Sequence, residues 1–260
     1  MTDIDWTAGA ALAFQAGMED LAAAIPGSYR ERSANGTLLA LTRAMVPALN
    51  PILSAAATPD AGEIAALAEV ADRESGPAPW SIRLRGEPGP EIMETATRYG
   101  LTTVSRQPFM LVSLDGYGPT RPEPVSEVRV RRLSGNESAV FAAVLSAGFG
   151  APPEMISAIY TPAVLDSPGT SAYVAENDRG EAVSAGVAFL NDRYLGLANI
   201  STVPQYQRRG FGHALTEAIL RDGHAAGAHT AYLHADEPSL PFFGSVGFST
   251  TEHWTMLSAF

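Results

Sequence analysis

Gln207-Arg208-Arg209-Gly210-Phe211-Gly212 lies directly behind Val203-Pro204-Gln205-Tyr206 and ahead of a run, His213 to Ala225, with helical apolar spacing. The segment before it, Tyr194 to Thr202, has the character of a strand. A strand, a glycine-containing turn and a helix start in succession leave several backbone N–H groups without partners, converging on one concavity. Gly210 and Gly212 let a ligand approach the main chain without a Cβ in the way, and Arg208 and Arg209 can add direct charge. The helix dipole favours an anion there by about 0.3–1 kcal/mol at an exposed end. By itself a Gly-x-Gly at a helix start is weak evidence, because most such pairs are plain turns. A dinucleotide fingerprint would need a third glycine, and the position three after Gly212 is Leu215.

Upstream of the turn, Val128 to Leu133 reads as a strand, Asn136 to Ala147 as a helix closed by Gly148, and Pro152-Pro153 opens another helix to about Ile159. Ala172 to Ala175, Val183 to Leu190 and Tyr194 to Thr202 form a meander, separated by Glu176-Asn177-Asp178-Arg179-Gly180 and Asn191-Asp192-Arg193. Downstream come a strand at Ala231 to Ala235, a short helix from Leu240 to Val246, and two strands within Gly247 to Leu257. Asp115-Gly116-Tyr117-Gly118-Pro119-Thr120-Arg121-Pro122-Glu123-Pro124 resists regular structure and reads as a linker. The expected division is therefore 1–114, a linker at 115–125, and 126–260. The tail of the first half echoes that of the second. Tyr99-Gly100-Leu101 leading to Phe109-Met110-Leu111 parallels Val246-Gly247-Phe248 leading to Trp254-Thr255-Met256-Leu257, and Trp80 to Leu84 parallels Ala231 to Ala235. A duplication would make the first half a copy that has lost the glycine-rich turn.

Composition narrows the chemistry. The 260 residues are 46% hydrophobic, enough for a substantial core. No apolar run approaches the roughly 18 residues that span a bilayer, and the first 25 residues lack the basic start of a secretory signal, so a cytoplasmic protein is expected. With no cysteine, disulfides, thiolate nucleophiles and Cys-based metal sites are excluded. All 17 Lys+Arg residues are arginine, which excludes a Schiff-base lysine; a GC-rich coding sequence accounts for the same bias. The net charge of −11 argues against nucleic-acid binding and would attract a cationic acceptor, while also serving solubility. The five histidines, His213, His224, His229, His234 and His253, show no metal-ligand spacing, and no metal is expected.

The turn with its preceding strand and following helix, the later short helix and Val246-Gly247-Phe248 together resemble the GCN5-related N-acetyltransferases, the GNAT superfamily. The resemblance covers about Val128 to Leu257 and is most specific from Ile200 to Ala214. It implies a mixed α/β fold with a central twisted sheet flanked by helices, in two tandem GNAT-like halves. It also implies acetyl-CoA as co-substrate, held by Gln207, Arg208, Arg209, Gly210, Phe211, Gly212, His213, Ala214 and Phe243, with the amides of Arg208 to His213 at the pyrophosphate and Ile200, Ser201, Thr202 and Val203 along the pantetheine arm. The implied reaction is direct attack of a primary amine, from a small molecule or exposed peptide, on the thioester, with an N–H near Thr202 facing the oxyanion. A base must deprotonate the amine. Glu176, His234, Asp236 and Glu237 are candidates and can equally be structural or solvated; Tyr160 and Tyr194 read as packing residues.

One departure stands out. The family commonly has a tyrosine five residues before the Gly-Phe phenylalanine, as acid for the departing thiolate; here that position is Phe243, beside Phe242. A thiol pKa of about 8.5 makes CoA a tolerable leaving group, so loss of the acid implies a rate lower by roughly 10²-fold. It equally admits a non-catalytic acyl-CoA-binding module.

Overall fold

The computed structural model describes residues 5–117 and 128–260, so the expected linker falls outside the described residues from position 118 onward. Among the described residues, eleven strands and eight α-helices make a mixed α/β fold. No helix among the described residues is long and apolar enough to cross a membrane. The chain divides into two compact units, residues 1–110 with 234–237 and 250–260, and residues 111–233 with 238–249. The C-terminal strand, expected within the second half, is thus part of the first unit.

The first unit contains α1 (Trp6–Ala24), β1 (Tyr29–Arg32), β2 (Leu38–Leu41), β3 (Pro51–Ser54), α2 (Ala61–Glu74), β4 (Ser81–Arg85), α3 (Pro90–Arg98) and most of β5 (Thr103–Ser113). β1, β2 and β3 are antiparallel neighbours, and β3 and β4 run parallel across α2. Ile52, Ile82, Leu84, Ile64, Leu67 and Ala71 close the core between these strands and α2.

In the second unit, β6 (Arg129–Leu133) precedes α4 (Ser138–Phe149), α5 (Pro153–Ile159) and α6 (Pro162–Leu165). Then follow β7 (Thr170–Glu176), β8 (Ala182–Asn191), β9 (Tyr194–Thr202), α7 (Phe211–Ala225), β10 (Thr230–His234) up to Leu233, and α8 (Leu240–Ser245). β6 to β9 are antiparallel in sequence order, and β10 runs parallel to β9. Side chains alternate across a sheet, and glycines show which helix lies on which face. A Cβ on Gly148 of α4 would strike Ser201 Oγ at 2.1 Å, whereas one on Gly186 of β8 would strike Ile200 Cδ1 at 2.4 Å, with Leu215 and Ile219 of α7 next. Ser201 and Ile200 are consecutive, so α4 and α7 cover opposite faces. Gly148 therefore does not end its helix, as its sequence position suggested. It permits close packing, and α4 continues to Phe149, ending at Gly150 in the left-handed region.

The last strand, β11 (Ser249–Ser258), is single where two were expected, because nothing between Gly247 and Leu257 forms a turn. It pairs antiparallel with β4, from Trp254↔Arg85 to Ser258↔Ser81. The echo between the tails has a structural counterpart. Tyr99 and Leu101 amides donate to Ala96 O at 3.2 and 2.8 Å, and Val246 and Phe248 amides donate to Phe243 O at 3.1 and 3.1 Å. Gly100 and Gly247 hold φ of +72° and +102° at equivalent places, a conformation glycine adopts without a Cβ penalty. Both units also repeat the parallel β-α-β step, β3-α2-β4 and β9-α7-β10.

Candidate functional site

β9 and β10 begin side by side and then part. Their pairing runs from Thr230↔Tyr194 to Tyr232↔Gly196 and stops there. Gly196 sits under the Tyr232 ring, where a Cβ would lie 2.6 Å from the phenol oxygen. Just beyond, the register with β8 shifts between Ala185 and Val187, and Asn199 adopts φ +53°. A bulge of this kind bends its strand. Asn199 Nδ2 donates to the Tyr160 hydroxyl, fixing the bend from the α4 face. Burial pushes the Tyr160 phenol up to about 12, so it remains protonated as a partner. The stretch Leu197 to Thr202 is left paired with β8 on one side alone, and its other edge offers backbone groups to an extended ligand.

The turn begins where β9 ends. Pro204–Tyr206 forms a single 3-10 turn, Gln207 Nε2 donates to Thr202 O at 3.1 Å, and Arg208 and Gly210 adopt φ of +62° and +90°. Successive residues in such conformations point their amides into one hollow. Tyr206 anchors the arrangement: its hydroxyl donates to Glu181 at 3.2 Å and accepts from Asn177 at 3.3 Å, both in the β7–β8 hairpin. Its ring carries the Arg209 guanidinium at 5.6 Å and meets Phe211 edge-on at 5.9 Å. Helix α7 then starts at Gly210 with no side chain capping it. Gly212 lies against the end of β9, where a Cβ would come within 3.2 Å of Thr202 Oγ1 and 3.6 Å of Phe242 Cζ.

The corresponding helix of the first unit shows what this turn lacks. At α2 the carboxylate of Asp60 accepts from the Glu63 amide at 3.0 Å, so a protein anion already occupies the helix start. The α7 end has glycine in that place, and its partial positive charge is left for another anion.

Phe243 is 9% exposed and packs on Phe242 and Phe248, with centroid distances of 4.9 and 5.9 Å. Phe242, half-buried, is the ring that reaches Gly212. Glu176 is buried and bound by Arg131 at 2.6 Å, and Arg131 also holds Glu137 at 2.8 Å. That ion pair ties β7 to β6 and engages the carboxylate that a general base would use. His234 belongs to the first compact unit, its ring at 4.6 Å from Phe14 and from Phe109. Burial, then the Arg83 charge, hold its pKa well below the ordinary histidine value, so it is neutral and a weak base at pH 7. Asp236 and Glu237 are exposed, and Tyr194 is buried as expected of a packing residue. Asn199, Tyr206 and Phe242 were not singled out from the sequence. The signal available was Asn199 itself, since asparagine tolerates the left-handed region better than most residues.

Residues 168–250 match the model of the acetyltransferase (GNAT) domain. They form a GNAT acetyltransferase domain. This span contains β9, the turn, α7 and Phe243, so every position discussed for the co-substrate falls within it. No curated protein matches the sequence. The fold resembles that of a GCN5-related N-acetyltransferase from Kribbella flavida, with a TM-score of 0.71 at 18% identity over 98% of this chain and 96% of that one. A functionally unknown conserved protein from Staphylococcus epidermidis ATCC 12228 gives 0.64 at 13% identity over 89% and 93%. A GCN5-related N-acetyltransferase from Sphaerobacter thermophilus gives 0.55 at 13% identity over 76% and 68%. At these identities the likeness concerns the fold, and the acyltransferase assignment rests on the GNAT domain.

Proposed function

We propose that the GNAT domain binds acetyl-CoA and passes its acetyl group to a primary amine of a small molecule or exposed peptide, by direct attack within a ternary complex. The observation that carries this reading is the parting of β9 from β10 after Gly196, immediately followed by an uncapped helix start at Gly210. The hollow at Arg208 to Ala214 suits a diphosphate, with Arg208 and Arg209 adding charge. The free edge of β9 suits the amide-bearing pantetheine arm, and a main-chain N–H near Thr202 would stabilise the oxyanion of the attacked thioester. The domain's acceptor is drawn as a cation by the net charge of −11. Residues 1–114 are read as a degenerate copy of the GNAT fold, with Asp60 standing where the second half keeps its anion site.

Phe243 supports a second reading, an acyl-CoA-binding module without turnover. A buried phenylalanine cannot protonate the departing thiolate, and its packing against Phe242 and Phe248 gives it a structural role. Thermal-shift titration with acetyl-CoA tests binding, and CoA release over a panel of amines tests transfer. Binding with release supports the enzyme; binding without release against every amine supports the module; no binding refutes both.

A further inference from the structure

Two hydroxyls and a carbonyl form a hydrogen-bond chain at the end of β9. Ser184 of β8 is fully buried and lies opposite Thr202, with Ala185 opposite Ser201. Its hydroxyl oxygen stands 2.9 Å from Ser201 O and 2.9 Å from Thr202 Oγ1. A serine hydroxyl has one proton to give. That proton goes to the Ser201 carbonyl, which cannot donate, so Thr202 must be the donor in the second contact. The chain is therefore directed, from the Thr202 hydroxyl through Ser184 to the Ser201 carbonyl. A buried hydroxyl carries a desolvation cost that an alanine would avoid, and its neighbours Val183, Ala185 and Val187 are apolar.

The ladder between β8 and β9 gives the direction of the peptide groups. The Val203 amide donates to Val183 O at 2.9 Å. Opposed residues of an antiparallel pair alternate between hydrogen-bonded and non-hydrogen-bonded. Val183 with Val203, and Ala185 with Ser201, are thus bonded pairs, whereas Ser184 and Thr202 meet through their side chains. Thr202 accordingly turns both of its backbone groups away from β8. Its carbonyl accepts from Gln207 Nε2 at 3.1 Å on that outer side. Its N–H points to the same edge, which β10 leaves after Gly196. The Thr202 N–H and the Ser201 carbonyl are the two ends of one peptide group. The carbonyl end receives the Ala185 amide of the ladder and the Ser184 hydroxyl together, which fills both lone pairs.

We propose that Ser184 is a positioning residue: with the Thr202 hydroxyl behind it, it fixes and polarises the Ser201–Thr202 peptide so that the Thr202 N–H is presented to a carbonyl of acetyl-CoA. Chains of hydrogen bonds polarise one another, strengthening each by about 10–30%. A donor at the carbonyl oxygen draws electron density along the amide and makes its N–H the stronger donor. Ser184 is fully buried and acts through that peptide, not by contact with the co-substrate. The inference rests on the acetyl-CoA reading of this edge and names the residue that tunes its donor.

The test is proton NMR of the full chain carrying isotope-labelled threonine, titrated with acetyl-CoA and paralleled by calorimetry. In the wild type the Thr202 amide proton is expected to move downfield as it gains the carbonyl. Ser184→Ala should shrink that movement by roughly 10–30% and leave affinity within about twofold, because only a fraction of one hydrogen bond is lost. Ser184→Thr, which keeps the hydroxyl, should restore the movement. If Ser184→Ala does not fold, Ser184→Cys, a weak donor of similar shape, is expected to behave as the alanine variant. A movement of full size in Ser184→Ala, or an equal loss in Ser184→Thr, would overturn the proposal. So would an affinity lower by about tenfold or more, which would make Ser184 a support for the strand as a whole. A wild-type Thr202 amide that ignores bound acetyl-CoA would overturn it alone and leave the co-substrate reading standing. No binding by the wild type would refute both.

Discussion

Gly210 separates the backbone requirement of the turn from its electrostatics. At φ +90° a side chain of either size strains the main chain, by about 1–2 kcal/mol for an L-residue in the left-handed region. In a chain of this size each kcal/mol moves the melting point by roughly 2–4 °C. Gly210→Ala should therefore melt roughly 2–8 °C lower and weaken acetyl-CoA by no more than about tenfold, the equivalent of about 1.4 kcal/mol. Gly210→Glu carries the same strain and adds a carboxylate at the uncapped start of α7. There the helix dipole returns about 0.3–1 kcal/mol to the free protein, so its melting point should lie at or above that of the alanine variant. A bound diphosphate, however, would face that carboxylate. At about 5 Å and an effective dielectric of about 20, one pair of like charges costs about 3 kcal/mol, roughly a hundredfold in affinity. Calorimetric titration of both variants with acetyl-CoA, next to their thermal melts, measures each part separately. Equal affinities in the two variants would mean that no anion sits at the α7 start, and the co-substrate assignment would fall with it.

Phe243→Tyr would bury a hydroxyl between Phe242 and Phe248, and should lower stability by about 1–3 kcal/mol with acetyl-CoA affinity unchanged. A weaker affinity would place this ring in the co-substrate wall. Tyr160→Phe deprives Asn199 Nδ2 of its acceptor and should cost about 1 kcal/mol, loosening the bend in β9 and weakening acetyl-CoA; an unaltered affinity would show that the bulge holds without it. His234 has a folded-state pKa below its unfolded one, so the unfolded chain binds more protons between the two values. Its contribution is complete above about pH 6.5 and declines as the pH falls below it, with a slope of at most about 1.4 kcal/mol per pH unit. His234→Gln should flatten the fall in melting temperature between neutral and mildly acidic pH; an unchanged profile would assign the loss to other groups.

Local chemistry was sufficient for much of this protein. The alternation from Tyr194 to Thr202, the glycines at 210 and 212 and the helical spacing after them specify strand, turn and helix from residues adjacent in sequence, and the structure places those elements there. The repeated Gly100-Leu101 and Gly247-Phe248 tails were legible for the same reason, since a left-handed glycine and the two amides folding back onto one carbonyl form a local motif. Glycines whose purpose is packing were misread: Gly148 looks like a helix stop in sequence and is a contact with Ser201 in space. Pairing across long separations was not legible either. β11 pairs with β4 across about 170 residues, and no periodicity within either strand specifies its neighbour. The same limit applies to function. Sequence identifies Glu176 and His234 as groups able to take a proton, but only the fold sets Glu176 against Arg131 and encloses His234 among aromatic rings beside the Arg83 charge. Burial and the nearest charge govern what an ionisable side chain can do, and both are properties of tertiary structure.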